Sequence, residues 1–184
     1  MLFRSACVGG ALVCQNWVGP SAEICDTRKT TPGMRRLEKY AVRCGGGTMH
    51  RVGLYDAALY KDNHLAALPE DSWAARLGEA ITSARRDHQL TFVEVEVDTL
   101  RQLEEVLTLP AGLVDIVLLD NMSSGSLQRA VELRNERRSE LKLEASGGVT
   151  LESVRAIAES GVDRISVGAI THSAPWLDIG LDLA

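Results

Sequence analysis

The feature that most constrains the fold is a regular repeat in the second half of the chain. From Asp115 onward, short β-branched runs alternate with amphipathic stretches, and each pair takes roughly 25 residues. Polar or glycine residues end successive runs at intervals of 24, 26 and 22 residues, namely Glu96, Asp120, Ser146 and Gly168. This spacing is typical of β/α units around a parallel sheet, and it fits both an open doubly wound sheet and a closed barrel.

Alternation inside the predicted strands favours the barrel. In the run Phe-Val-Glu-Val-Glu-Val at 92–97, the valines take one face and the glutamates the other, whereas a parallel strand covered on both faces is nearly all apolar. The runs at 141–146 and 163–168 repeat this pattern, so the second face collects Lys142, Glu144, Ser146, Arg164 and Ser166. Charges on an inner face need partners, and a barrel lumen with paired charges supplies them. We therefore predict an α/β barrel with parallel strands.

The predicted elements cover most of the chain after its first residues. Strands are predicted at 24–29, 52–61, 92–97, 115–119, 141–145 and 164–167, with a last apolar run near 177–183. Helices are predicted at 33–44, 72–87, 99–107, 123–138 and 150–160. Glycine and proline pairs interrupt any period near the N-terminus. We therefore predict a foreign or poorly ordered segment at 1–22 and a barrel domain at 23–184.

Composition excludes several classes of protein. The 184 residues are 45% hydrophobic, which suits one compact domain and not a disordered chain. A net charge of −5 and few aromatic residues argue against a nucleic-acid binder. No apolar run approaches the roughly 18 to 20 residues of a membrane-spanning helix. The four cysteines lack CxxC spacing and flanking histidines, which indicates a reducing cytoplasmic location.

Charge is distributed unevenly along the chain. Residues 21–61 contain eight Lys and Arg against four acids, so this segment carries +4 and the remainder −9. Such asymmetry predicts a local anion site in an acidic protein. Five candidates lie at predicted strand ends or in flanking loops: Arg28, Lys29, His50, Arg51 and Lys61. The remaining cations, Arg35, Arg36, Lys39 and Arg43, are predicted to form a solvated helix face. A buried Lys61 could instead act as a Schiff-base nucleophile, although nearby arginines favour anion binding.

Acidic and glycine residues at the later strand ends predict the opposite half of the same site. Equivalent ends of parallel strands share one rim, so Glu96 and Asp120 should face the cations. These carboxylates could hold Mg²⁺, stabilise a cationic sugar transition state, or form structural ion pairs with Lys142 or Arg164. The segments at 146–150 and 167–172 pair glycines with a following helix, which is typical of phosphate-binding loops.

Taken together, these segments resemble the quinolinate phosphoribosyltransferase family. The resemblance runs from about Ile24 to the C-terminus, with the motifs in the family's order. They are DTRKTTPG at 26–33, LEKYAVRCGGG at 37–47, HR at 50–51, KDNH at 61–64, EVEV at 94–97, LLDN at 118–121, SGG at 146–148 and VGAITH at 167–172. The resemblance implies an incomplete α/β barrel that joins quinolinate to phosphoribosyl pyrophosphate (PRPP) with Mg²⁺. The products are nicotinate mononucleotide, pyrophosphate and CO₂, in NAD biosynthesis.

The resemblance also implies a role for each site residue. Quinolinate is bound by the five cations Arg28, Lys29, His50, Arg51 and Lys61. Phosphate groups are bound by Ser146, Gly147, Gly148, Gly168 and His172. Glu96 and Asp120 contact the ribose and the Mg²⁺-bound pyrophosphate, and they are the catalytic residues together with Lys61.

The chain departs from the family pattern at its beginning. Family members start with a further sandwich domain, which this sequence lacks, and residues before Glu23 do not resemble theirs. In the family homodimer that domain lends an arginine to the neighbouring site. Two alternatives stay open: a truncated, inactive ligand-binding module of the same fold, and a paralogue associated with molybdate-uptake genes.

Overall fold

The computed structural model describes residues 2–173, without the side chains of 2–9 and 70. The strands are β1 (Glu23–Cys25), β2 (Ala58–Tyr60), β3 (Val93–Val97), β4 (Ile116–Asp120), β5 (Lys142–Ser146) and β6 (Arg164–Ser166). The helices are α1 (Leu2–Val18), α2 (Arg35–Cys44), α3 (Asp62–Leu65), α4 (Trp73–Asp87), α5 (Leu100–Leu107), α6 (Ser124–Arg137), α7 (Leu151–Glu159) and α8 (Ala169–His172). The predicted run near 177–183 lies outside the described residues.

The six strands form one parallel sheet in the order β1-β6-β5-β4-β3-β2. At one edge, Thr48 pairs with β1 through its backbone, donating to Ile24 at 2.7 Å and accepting from Asp26 at 3.2 Å. From this edge the side chain of His50 reaches carboxylates on β3 and β5. The sheet therefore curls around its inner face without pairing β1 to β2, which confirms the predicted incomplete barrel with parallel strands.

The strands alternate between an apolar outer face and an inner face that carries their charged side chains together with the apolar Leu59 and Leu118. Val93, Val95 and Val97 are fully buried in a core shared with helix residues such as Leu77 and Leu103. Register places the alternate residues in one row across the inner face: Glu23, Arg164, Glu144, Leu118 and Glu96. Strand alternation alone therefore directs the charged side chains into the lumen.

The structure differs from the prediction for segment 1–22. Residues 2–18 form helix α1, whose side chains at Ala11, Cys14 and Val18 are buried in the common core. Gly10 of α1 packs on α8, where a Cβ would lie 3.4 Å from Ile170, an ordinary contact distance. The small residues that interrupt the sequence period provide the contact surface of α1, so the structure has a helix where the sequence predicts no regular element. Among the residues the structure describes, no helix has the length and apolarity that crossing a bilayer requires.

Two predicted strands are shorter in the structure. The one predicted at 52–61 begins only at Ala58, because the Asp56 carboxylate accepts from Val52 N and Gly53 N at 2.8 Å each and closes a turn. The one predicted at 24–29 ends at Cys25, and the carboxylate of the next residue, Asp26, accepts from the His50 amide at 2.8 Å. Both departures place loop residues at the mouth of the barrel.

A cationic cavity at the carboxyl ends of the strands

A cavity of about 340 Å³ opens at the carboxyl ends of the strands. Its walls come from the loops after β1 and β2 on one side and from the ends of β3 to β6 on the other. The lining residues are Thr27, Arg28, Lys29, His50, Arg51, Leu59, Lys61, Glu96, Leu118, Asp120, Ser146 and Ser166. The structure thus brings together the five predicted cations, both predicted carboxylates and Ser146. The individual roles assigned to them stay predictions.

The cavity has an excess of positive charge. Leaving His50 out of the count, the lining contains four Lys and Arg side chains and two carboxylates. Nε of Arg28 is buried without a hydrogen-bond acceptor among the described residues. Burial and the neighbouring charge of Arg28 lower the pKa of Arg51. Buried cationic donors without partners are costly, and an anion in the cavity would satisfy them.

Lys61 and Glu96 form an ion pair across the mouth. Nζ of Lys61 contacts Oε2 of Glu96, and the two side chains are 43% and 8% exposed. A Schiff-base nucleophile needs an apolar, desolvated setting that favours the neutral amine. Lys61 is instead partly exposed and pairs with a carboxylate, so its setting differs from the one that a Schiff-base nucleophile needs.

The floor of the cavity is a buried charge network centred on His50. Its Nε2 lies 2.8 Å from an oxygen of Glu94 and 3.4 Å from one of Glu144. Arg164 Nε donates to Glu144 at 2.7 Å, and the Ser166 hydroxyl donates to the other Glu144 oxygen. The paired charges predicted for the lumen are therefore present. Sequence reasoning placed Glu144 and Arg164 on this face but did not predict that His50 joins them.

Hydrogen bonding fixes the orientation of the His50 ring. The Arg51 backbone N–H donates to Nδ1 at 2.8 Å, so Nδ1 carries no proton in this geometry, and Nε2 lies on the side of the two carboxylates. Burial disfavours a charged ring, but hydrogen bonds to Glu144 and Glu94 outweigh it and raise the pKa of His50 to about 9. A second proton would displace the Arg51 N–H from Nδ1. In either protonation state, Nε2 lies beside the two carboxylates.

The two carboxylates beside His50 differ in character. Burial and the charge of Glu144 raise the pKa of Glu94. For Glu144, hydrogen bonds and charges from His50 and Arg164 outweigh burial and lower the pKa to about 2. Of the two carboxylates, Glu144 is therefore the ionised one, and the buried cations contact it.

Two groups of side chains could ligate a metal. Within the described residues, the ligand atoms of His50, Glu94 and Glu144 lie within 4.8 Å of one another. Both Glu144 oxygens already accept from Arg164 and Ser166, whereas, apart from the contact with His50, neither Glu94 oxygen has a hydrogen-bond partner among the described residues. The other group is the predicted pair Glu96 and Asp120, which lie on neighbouring strands of the inner face.

The structure contradicts the alternative that Glu96 and Asp120 pair with Lys142 or Arg164. Lys142 lies 3.8 Å from Glu23 instead, and Arg164 contacts Glu144 and Glu23. Asp120 accepts a hydrogen bond from the side-chain amide of Asn121 at 2.6 Å. Both carboxylates therefore remain directed to the cavity.

The glycine segments lie beside the carboxylates at the rim. Gly147 has φ of 93°, and a Cβ there would lie 2.1 Å from Oδ1 of Asn121, so only glycine fits. Among the described residues, the backbone N–H groups of Gly147, Gly148 and Gly168 have no acceptor. Such N–H groups before α7 and α8 suit a phosphate. His172, the last predicted phosphate ligand, is exposed on α8 outside the cavity lining, with Nδ1 2.7 Å from Ser173 Oγ.

Replacing Gly147 by Ala is expected to lower the free energy of unfolding by about 1–3 kcal/mol, because the left-handed backbone and the Asn121 contact both oppose a Cβ. Chemical denaturation of both proteins measures the change. Gly125, in the first turn of α6, has open space where a Cβ would lie, so Gly125→Ala is the matched control and should be neutral or stabilising. Equal effects at the two sites would contradict the close approach of the loops.

Sequence reasoning missed residues that hold the cavity from behind. Lys39, predicted to be solvated, is 2% exposed and pairs with Asp26 at 2.6 Å. The prediction of a solvated face is wrong for this residue, because α2 turns it toward β1. Thr171 of α8 donates to the Lys29 carbonyl at 2.7 Å and so anchors the loop that carries two of the cations. Asp26 and Lys39 are 13 residues apart in the sequence and form a buried pair of polar side chains. No local sequence pattern predicts such a contact.

The fold and site together define an α/β-barrel protein whose strand ends line a cationic cavity. Residues 11–182 match the family model described as "Quinolinate phosphoribosyl transferase, C-terminal domain", and the chain belongs to this family. The match begins inside α1, ahead of the boundary predicted at residue 23.

Several relatives are similar over most of the chain. The "Nicotinate-nucleotide pyrophosphorylase [carboxylating]" of Mycobacterium leprae is 46% identical over 179 residues, covering 95% of this chain and 60% of that protein. The probable enzyme of the same name in Bacillus subtilis is 45% identical, covering 88% and 52%. The nicotinate-nucleotide pyrophosphorylase structure from Francisella tularensis superimposes with a TM-score of 0.83 at 38% identity, covering 97% and 60%. The chain thus spans little more than half the length of these relatives.

Proposed function

We propose that this chain transfers the phosphoribosyl group of PRPP to quinolinate with loss of CO₂, giving nicotinate mononucleotide and pyrophosphate for NAD biosynthesis. The observation that carries the proposal is the cavity in which four cations face two carboxylates at one end of the barrel. The names of the similar proteins support the same reaction.

The cations suit a dianionic pyridine. Quinolinate has two adjacent carboxylates, and guanidinium forks with ammonium groups bind such pairs well. Arg28, Lys29, Arg51 and Lys61 offer these donors, and the unpartnered Nε of Arg28 is one that a carboxylate would satisfy. We assign substrate binding to these four and to His50 at the floor.

The carboxylates suit the ribosyl transfer. As pyrophosphate leaves, positive charge develops on the sugar, and the fixed negative charges of Glu96 and Asp120 stabilise it. The unbonded N–H groups of Gly147, Gly148 and Gly168 are placed to hold phosphate oxygens. The ring nitrogen that receives the ribosyl group becomes cationic. Its positive charge stabilises the electron pair that stays on the adjacent ring carbon when the C–C bond breaks and CO₂ departs, and a proton then adds at that carbon.

A magnesium ion fits the residues present. Glu96 has one oxygen paired with Lys61 and Asp120 has one paired with Asn121, which leaves each carboxylate an oxygen for a hard cation. Glu96 and Asp120 would hold Mg²⁺, with water and substrate oxygens completing its coordination. When bound, the ion would neutralise the leaving pyrophosphate.

Replacing Arg51 by Ala is expected to weaken quinolinate binding by about 1.5–3 kcal/mol, because a nearly buried charged donor is lost from the cavity. Isothermal calorimetry measures the dissociation constant. Arg43→Ala removes the same charge from the exposed face of α2 and is the control, with little expected effect. Equal affinity of the Arg51 variant and the parent would contradict the assignment.

The most direct test of the reaction supplies quinolinate, PRPP and Mg²⁺ to the purified chain and measures nicotinate mononucleotide. Product formation supports the proposal. Quinolinate binding without product would select the second candidate, a ligand-binding module. If neither binding nor product is observed, both the enzyme and the binding-module candidates are refuted. The homodimer and the cytoplasmic location stay predictions, which sedimentation and cell fractionation would check.

A further inference from the structure

We propose that the buried ion pair of Asp26 and Lys39 is a positioning device that holds His50 and Arg51 in the cavity wall. The inference rests on the proposed function for what the cavity binds, but its structural part can be tested without any ligand. Neither residue lines the cavity, so both act through the backbone of the residues that do.

The geometry shows one ion pair holding both backbone groups of a single residue. Oδ1 of Asp26 accepts from Lys39 Nζ at 2.6 Å and from the His50 amide at 2.8 Å. Lys39 Nζ also donates to the His50 carbonyl at 3.2 Å. The Asp26 and Lys39 side chains are 0% and 3% exposed, so water does not compete for these bonds.

The segment that carries His50 and Arg51 needs such an anchor. Its ladder to β1 consists of an isolated bridge between Thr48 and Cys25, and beyond Thr48 the backbone bonds to β1 stop. Where this ladder ends, the Asp26 carboxylate and Lys39 provide the hydrogen bonds that hold the backbone. The other anchor of Arg51 is a long contact of 3.4 Å from its guanidinium to the Ala57 carbonyl.

Electrostatics adds a second reason. Arg51 and Arg28 line the same cavity and their like charges repel, so the backbone that carries Arg51 benefits from a fixed anchor. A buried ion pair contributes little net stability compared with an apolar pair of equal size. An apolar pair, however, would leave the His50 N–H and C=O unbonded inside the protein. The pair therefore acts on the geometry of the cationic wall more than on the stability of the fold.

The test compares Asp26→Ala with a matched variant at the other end of the barrel. Asp163 has the same kind of contacts, accepting from Arg134 at 2.7 Å and from the Leu143 amide at 2.8 Å, but it lies away from the cavity lining. Both Ala variants are expected to lower stability toward urea. Asp26→Ala alone is expected to speed hydrogen exchange of the His50 amide, relative to Val95, and to weaken quinolinate binding, each by about tenfold or more.

Several results would overturn the inference. One is a folded Asp26→Ala protein whose His50 exchange and quinolinate affinity stay within about twofold of the parent; another is an Asp163→Ala protein with the same losses. If Asp26→Ala does not fold, Lys39→Met takes its place. It removes the Nζ bonds to Asp26 and to the His50 carbonyl but keeps the bond from the His50 amide to Asp26, so it should shift both readouts in the same direction by a smaller factor. Unchanged readouts in folded Lys39→Met would also overturn it. Should the parent chain not bind quinolinate, the proposed function fails, while the exchange measurement still decides the role of the pair.

Discussion

Replacing Glu144 by Gln is expected to lower the free energy of unfolding by about 3–5 kcal/mol at pH 7. The carboxylate is fully buried and holds Arg164 at 2.7 Å, with the His50 ring 3.4 Å away. The neutral amide would leave these cations without their shared counter-charge, which costs far more than the loss of an exposed pair. Urea unfolding followed by circular dichroism measures the change.

The effect should depend on pH with a definite sign. The pKa of Glu144 is lowered from 4.5 to about 2, so its ionisation stabilises the fold fully above pH 4.5 and the contribution is lost as pH falls toward 2. The gap between parent and variant should therefore shrink, by on the order of 2 kcal/mol from pH 7 to pH 3.

A surface variant provides the comparison for Glu144→Gln. Glu159 forms an exposed pair with Arg155 at 3.1 Å on α7, and Glu159→Gln should cost less than about 1 kcal/mol. A Glu144 variant no more destabilised than this control would refute the buried network as a stabilising unit. A gap that does not change with pH would refute the lowered pKa of Glu144.

Replacing Glu96 by Gln is expected to reduce the rate of phosphoribosyl transfer by about 10²–10³-fold, the loss typical for removal of one preorganised charge from a reacting centre. Quinolinate affinity should be kept or improved, because Lys61 loses its carboxylate partner and its ammonium becomes available to the substrate. Turnover with saturating substrates and calorimetric binding separate the two effects.

The adjoining acid supplies the control for Glu96→Gln. Asp98 follows the same strand, is exposed and does not line the cavity, so Asp98→Asn should leave turnover close to the parent value. A Glu96 variant that turns over within about tenfold of the parent would contradict a role in stabilising the ribosyl cation. A matching drop in quinolinate affinity would instead mean that Glu96 serves to position Lys61.

Local chemistry made much of the site predictable. Strand ends in parallel sheets meet at one edge, so the position of Glu96, Asp120 and Ser146 along the chain was enough to place them on a common rim. The cations Arg28 and Arg51 followed from the same rule and from the local charge excess. Helix starts were equally readable, since Thr99 and Thr150 both form capping boxes with the residue three positions later.

Contacts between residues that are far apart in the sequence could not be predicted in this way. The burial of Lys39, the contact of His50 with two carboxylates and the approach of Gly147 to Asn121 all join residues distant in sequence. Helix α1 was missed because its small residues resemble helix breakers until Ile170 of α8 is present to pack on them.

The sequence by itself determined the repeating β/α order, the polar inner face of the strands and the set of charged residues at one end of the sheet, because these depend on periods of two residues and on short local motifs. Only the tertiary structure decided which charges pair, which of them are shielded from water and how His50 and Arg51 are held in the wall. Those outcomes depend on strand register and helix rotation, which bring together groups that no local pattern connects.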